Sequence, residues 1–127
     1  DAKLAVDAGA DAIIVSNHGG RQLDGAPSTI SVLSEISEEV KNKTEVHFDG
    51  GIRSGQDVLK ALSLGAKCTY VGRPYVYGLG AKGQEGVELA LDIIYKELDL
   101  SMAMCGETDV SQMGIHNLYE NPFKNKK

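Results

Sequence analysis

The chain has 127 residues and a formal net charge of -5, with 42% hydrophobic and 24% charged residues. This composition is typical of a globular domain, and its acidic balance argues against a nucleic-acid binder, which needs clustered Lys and Arg. No apolar run approaches the roughly 20 residues that span a bilayer, and no signal-peptide pattern opens the chain. We therefore expect a soluble, cytoplasmic protein without a membrane partner.

The first residues already follow a helical pattern. Leu4, Ala5 and Ala8 have helical spacing, and residue 1 is Asp1 rather than Met. We therefore expect the front of the protein to be missing.

A helix-turn-strand unit is repeated along the chain. Residues 1–16 and 57–72 share an Asp, an Ala, a Gly-Ala pair, an apolar run and a Val at a fixed offset. Each predicted helix ends at a glycine, Gly9 or Gly65, that suits a left-handed cap. The apolar runs that follow, 12–15 and 69–71, are typical of parallel strands buried on both faces.

The remaining elements complete an alternating order. Helical periodicity covers residues 30–40 and 86–104, and residues 45–48 form a third predicted strand. Alternating helices and strands predict an α/β fold with right-handed crossovers and a parallel sheet. Its polar loops would form the active-site face of a (β/α)8 barrel or line the crevice of an open doubly wound sheet.

The first chemically informative loop follows the first strand and reads SNHGGRQLD, residues 16–24. His18 can act as a general base near neutral pH, and the glycines beside it let a flat ligand approach the backbone. Arg21 can hold a substrate carboxylate through two hydrogen bonds. The alternative is structural, with His18 capping the strand and Arg21 pairing with Asp24 on the surface.

Two further loops indicate a phosphate site. After the second strand, the backbone amides of Gly50 and Gly51 can surround an anion, and Arg53 adds positive charge. After the third strand, Gly72 and Arg73 repeat the combination of close approach and a planar cation. The alternative for the second loop is an ordinary strand-to-helix turn in which the aspartate before the glycines caps the helix.

The other histidines, the tyrosines and the cysteines are weaker candidates for a functional site. His47 lies within a predicted strand and is interpreted as a packed or partly exposed strand residue. His116 lies in a polar tail and is interpreted as a bystander without a partner. Tyr70, Tyr75 and Tyr77 flank the last strand, where they could line a cofactor or belong to the core. Cys68 and Cys105 lie far apart without zinc-like spacing, so no metal site or disulfide is predicted.

The segments SNHGGRQLD, FDGGIRSG and GRP, in this order and separation, closely resemble the FMN-dependent alpha-hydroxy-acid oxidases and dehydrogenases. The resemblance covers residues 1–113 and implies the C-terminal part of a (β/α)8 TIM barrel, about three strands with their helices, over residues 1–127 with a tail at 114–127. It implies His18 as the base and Arg21 as the carboxylate ligand. The FMN-binding residues that it implies are Ser16, Asp49, Gly50, Gly51, Arg53, Gly72 and Arg73.

The resemblance also carries expectations for the whole protein. A short likeness of residues 116–123 to the ending of bacterial lactate oxidases favours L-lactate over glycolate. Oxygen is expected as the electron acceptor, and the family resemblance implies a tetrameric assembly. A dehydrogenase that uses a quinone or cytochrome stays open. Ser54 departs from the family, many of whose members carry a second Arg there.

In the family, several catalytic groups come from earlier strands, so this piece alone is expected to be inactive. The alternative to an enzyme is a binding protein, namely a non-catalytic half-barrel that binds phosphate. A phosphate-binding barrel without flavin is a weaker one, which the pair of His18 and Arg21 disfavours.

Overall fold

The computed structural model describes residues 1–119. The helices are α1 Ala2–Asp7, α2 Thr29–Val40, α3 Gly55–Ser63, α4 Arg73–Lys82 and α5 Gln84–Cys105, and the strands are β1 Ala12–Val15, β2 Glu45–Asp49 and β3 Cys68–Tyr70. Short 3-10 turns lie at His18–Gly20, Val110–Gln112 and Ile115–Asn117. Of the residues 116–123 that resemble the ending of lactate oxidases, residues 120–123 lie outside the described residues.

The strands form one parallel sheet, as predicted, and their order in it is β1-β2-β3. Val15 pairs with Phe48, and Phe48 pairs with Thr69, so the three strands stay in register. Because the carboxyl ends of parallel strands meet at one edge, the loops after β1, β2 and β3 leave the sheet side by side.

Helices cover one face of the sheet. Side chains alternate between the faces of a strand, and Val15, Val46 and Phe48 point to the helical side. The core includes residues from strands and helices alike: Val15, Leu33, Val46, Phe48, Ala61 and Ile94. Phe48 is 2% exposed, and its truncation to Ala would cost about 3–5 kcal/mol.

The other face of the sheet is open in the described structure. Ile14 on this face is 54% exposed, and Tyr70 is 41% exposed. The prediction that the first and third strands are buried on both faces is therefore wrong here. Val15 is the buried residue of β1, and β3 has none, because the helices of residues 1–119 pack on the opposite side.

The predicted repeat is confirmed by its hydrogen bonds. The helices α1 and α3 are each followed by a glycine with positive φ, +87° at Gly9 and +106° at Gly65. In both copies the amide of the next alanine donates to the carbonyl of an alanine five residues earlier, at 3.0 Å in the first copy and 3.1 Å in the second. Each helix therefore turns into its strand in the same way.

Helix α4 was not predicted. Gly78 and Gly80 lower the helix propensity of this segment. Close packing of α4 against α5 compensates for the low helix propensity. The two helices are so near that a Cβ atom at Gly78 would collide with the backbone of Gly86. None of the helices within residues 1–119 is both long and apolar enough to cross a membrane.

Candidate functional site

The loop after β1 holds His18 in an uncommon backbone conformation. His18 has φ +55°, and Gly19 and Gly20 follow with φ +66° and +72°. The His18 amide donates to the Ser16 hydroxyl oxygen at 3.1 Å. A non-glycine residue in this region costs on the order of 1–3 kcal/mol, and such strain is concentrated at functional sites.

The loop after β2 is joined to that loop by a short hydrogen bond. The Ser16 hydroxyl donates to Asp49 Oδ2 at 2.5 Å. Asp49 does not cap α3, so that structural alternative is wrong. Ser54 caps the helix instead, since its hydroxyl accepts from the Asp57 amide and the Asp57 carboxylate accepts from the Ser54 amide.

The pair Gly50 and Gly51 turns the chain away from the sheet. Their φ angles are +111° and +91°, a region that favours glycine. A Cβ atom at Gly50 would lie 2.7 Å from the Thr29 Oγ1. Thr29 was missed in the sequence analysis, although its place after Ser28 at the start of a predicted helix is a recognisable cap signal.

Three arginines that follow the three strands have no carboxylate partner within the described part of the chain. Arg21, Arg53 and Arg73 take part in no ion pair among residues 1–119. The proposed surface pair of Arg21 with Asp24 is therefore absent from the described structure. Unpaired guanidinium groups on neighbouring strand ends favour an anionic ligand.

One cavity of about 780 Å³ joins these loops. Eight of the nine predicted site residues line it: His18, Arg21, Asp49, Gly50, Gly51, Arg53, Gly72 and Arg73. Ser16 is the ninth, and it reaches the site through its bond to Asp49. Tyr70, Tyr75 and Tyr77 also line the cavity. Its volume lies within the range of about 300–1,000 Å³ that is usual for small-molecule and cofactor sites.

The other two histidines lie elsewhere. His47 is a partly buried strand residue between Tyr70 and Glu45, in keeping with its interpretation. His116 was expected to have no partner, and this was wrong, because its Nε2 lies 2.8 Å from Glu107 Oε1. Hydrogen bonds from Asn117 and then His116 lower the pKa of Glu107. No group of His, Cys, Asp and Glu in the described range is arranged to hold a metal ion.

The sequence matches known proteins along nearly its whole length. A family model described as FMN-dependent dehydrogenase matches residues 1–120. The chain is 52% identical over 123 residues to 2-hydroxyacid oxidase 1 of Mus musculus, covering 97% of this chain and 33% of that protein. It is 53% identical over 106 residues to a peroxisomal (S)-2-hydroxyacid oxidase of Arabidopsis thaliana, covering 84% of this chain and 29% of that protein. The chain thus spans about a third of the length of these relatives.

Solved structures agree with the fold. Mandelate oxidase with benzoyl-formic acid superposes with a TM-score of 0.84 at 53% identity, covering 87% of this chain and 33% of that one. A mandelate oxidase mutant with the monooxide FMN adduct gives the same TM-score of 0.84 and identity of 53%, with 87% and 35% covered. The predicted part of a (β/α)8 barrel is therefore confirmed. The chain belongs to the family of FMN-dependent dehydrogenases and 2-hydroxy-acid oxidases.

Proposed function

We propose that the full-length protein uses FMN to oxidise a small (S)-2-hydroxy acid to the 2-oxo acid. In this proposal the chain supplies the base, His18, the carboxylate ligand, Arg21, and the phosphate site, Arg53 and Arg73. The observation that carries the proposal is that these four residues line one and the same cavity. The names of the relatives, 2-hydroxyacid oxidases and mandelate oxidase, support the same class of substrate.

The residues present fit the polar parts of FMN. Gly50 and Gly51 leave room for close backbone approach, and Arg53 and Arg73 have no carboxylate partner in the described structure. A phosphate dianion would neutralise this charge through charge-assisted hydrogen bonds. Asp49, fixed by Ser16, offers its remaining oxygen to hydroxyl groups such as those of a ribityl chain.

The roles of the substrate-facing residues follow from their chemistry. Arg21 binds the substrate carboxylate and so orients the hydroxyl-bearing carbon. An imidazole nitrogen of His18 accepts the hydroxyl proton as the carbonyl forms. FMN, when bound, would supply the acceptor for a hydride equivalent, which is the hydrogen of the substrate's α-carbon together with the two electrons. His18 then returns its proton to solvent, which completes the proton balance on the protein.

We propose L-lactate as the preferred acid, with glycolate second, and oxygen as the electron acceptor. The lactate preference rests on the tail likeness noted above, and the acceptor on relatives that are named oxidases. The alternative is a dehydrogenase that passes electrons to a quinone or cytochrome. Rapid mixing of the reduced full-length protein with oxygen distinguishes them, because slow reoxidation would remove the oxidase assignment.

We also propose a cytoplasmic homotetramer, as expected from the sequence and the resemblance. The Arabidopsis relative is named as peroxisomal, so fractionation of cells that express the full-length protein is the relevant test. Light scattering of the purified protein measures the assembly, and a monomeric mass would contradict the tetramer.

We expect the chain by itself to be inactive, because it spans about a third of the relatives' length. A non-catalytic phosphate-binding module is the second candidate, and it predicts FMN binding without turnover. The test is to add a panel of 2-hydroxy acids to the full-length, FMN-loaded protein and to measure 2-oxo acid and hydrogen peroxide. Production of both with L-lactate supports the proposed oxidase. FMN binding with no product from any acid would favour the second candidate.

A further inference from the structure

Three polar side chains form a hydrogen-bonded chain on the open face of the sheet. His47 Nδ1 lies 3.2 Å from the Tyr70 hydroxyl oxygen, and His47 Nε2 lies 3.2 Å from Glu45 Oε2. Glu45 and His47 are two residues apart on β2, so both point to the same face. Tyr70 lies on β3, and its ring is tilted 44° to the imidazole with the centroids 6.0 Å apart.

The carboxylate sets the direction of these bonds. An ionised Glu45 can only accept, so His47 Nε2 carries a hydrogen and donates to it. In the neutral imidazole Nδ1 then has the lone pair, and the Tyr70 hydroxyl donates to that atom. The Tyr70 hydroxyl is therefore committed to His47. The His47 side chain is 19% exposed, which limits competition from water.

Tyr70 also lines the 780 Å³ cavity beside the predicted phosphate site. It pairs in register with Asp49 on β2, and Arg73 follows it by three residues. With its hydroxyl held by His47, the ring is fixed against the open sheet face. Loss of that bond would remove this constraint on the rotamer of Tyr70, which lines the cavity.

We propose that Glu45 and His47 tether Tyr70 so that its ring forms a fixed wall of the flavin cavity. Tyr70 is then a positioning residue for bound FMN, and His47 acts on FMN only through Tyr70. This inference rests on the proposed function, because it takes FMN as the ligand of the cavity. It assigns a role to His47, which the reaction itself does not use.

The test is an FMN titration of the full-length apoprotein, followed by the change in flavin fluorescence. We expect His47→Phe and Tyr70→Phe each to weaken FMN binding by about threefold to tenfold, the loss of one ordinary hydrogen bond. The double variant should bind no more weakly than either single variant, since both remove the same bond. Tyr95→Phe is the matched control, because Tyr95 is 68% exposed on α5 and outside the cavity.

The outcomes separate this inference from the proposed function. Wild-type affinity in both single variants, or losses that add in the double variant, would overturn the tether. Failure of the unsubstituted protein to bind FMN would overturn the proposed function and the role of Tyr70 with it. Nitrogen-15 NMR of the apoprotein tests the bond without FMN: we expect the Nε2-H tautomer of His47 and a shift at Nδ1 in Tyr70→Phe. An unchanged Nδ1 resonance in Tyr70→Phe would contradict the tether directly.

Discussion

The Ser16 hydroxyl donates a 2.5 Å hydrogen bond to Asp49 Oδ2 and thereby joins two loops that are 33 residues apart in sequence. The same hydroxyl oxygen accepts from the His18 amide at 3.1 Å. One small side chain therefore fixes both the proposed base loop and the carboxylate proposed to contact the cofactor.

Replacing Ser16→Ala removes both bonds. We expect FMN affinity of the full-length protein to fall roughly tenfold, because a hydrogen bond to a charged group contributes about 1.5–3 kcal/mol and this one is partly exposed to solvent. Titration of the apoprotein with FMN measures the loss. Ser31→Ala is the control, since its hydroxyl bonds the Ser28 carbonyl at 2.6 Å and lies outside the cavity. Equal affinity of Ser16→Ala and wild type would show that this bond does not shape the site.

Replacing Arg21→Lys keeps the charge and removes the planar fork. We expect kcat/KM for 2-hydroxy acids to fall roughly 10- to 100-fold, because an ammonium group cannot make the paired contact with a carboxylate. FMN affinity should stay unchanged. Arg53→Lys is the matched comparison, and it should weaken FMN binding. If Arg21→Lys lowered FMN affinity and left the kinetics of bound enzyme intact, the assignment of Arg21 to the substrate would be wrong.

The substitution Gly50→Ala tests the close approach in the loop that we propose to bind phosphate. Its φ of +111° disfavours a side chain, and the added Cβ would lie 2.7 Å from Thr29 Oγ1. Gly25→Ala is the control, since Gly25 has φ +75° but no atom within 4 Å of an added Cβ. We expect Gly50→Ala to be less stable than Gly25→Ala by about 1–3 kcal/mol. Urea unfolding measures both, and equal free energies of unfolding would contradict the crowding at Gly50.

The strands and the candidate site residues could be predicted because both depend on local patterns. Polar loops such as SNHGGRQLD after parallel strands must meet at one sheet edge, so the sequence alone predicts that His18 and Arg73 lie near each other, and both line the cavity. Helix α4 was not predicted because its glycines lower the helix propensity of the segment. The close contact of α4 with Gly86, which compensates for that low propensity, is a tertiary feature. The exposure of Ile14 was not predicted, because hydropathy does not show which elements cover a face of the sheet.

Side-chain contacts between residues far apart in the sequence could not be predicted either. The bond from Tyr70 to His47 depends on the register of β2 and β3, and a shift of one residue would place the two rings on opposite faces. The contact of His116 with Glu107 depends on a turn in the segment after α5. Neither leaves a periodic signal in the chain.

The Glu107 contacts predict an acid-sensitive end of the described structure. Hydrogen bonds from Asn117 and His116 hold the pKa of Glu107 below its usual value. Their stabilising effect is therefore present above the ordinary pKa of glutamate and is lost as the pH falls through the lowered pKa. Hydrogen exchange of residues 110–119 in the full-length protein should show protection at neutral pH that disappears in acid. In Glu107→Gln this pH dependence should be absent, and its persistence would point to another group.

The most direct test of the central claim is the anaerobic reaction of the full-length, FMN-loaded protein with L-lactate in wild type and His18→Gln. Wild type should lose its flavin absorbance in a single turnover. His18→Gln should keep its FMN and react at least about 100-fold more slowly, because the proton acceptor is gone while the phosphate site is intact. His116→Gln, whose side chain lies outside the cavity, should react like wild type. Flavin reduction in His18→Gln at the wild-type rate would contradict the assignment of His18 as the base.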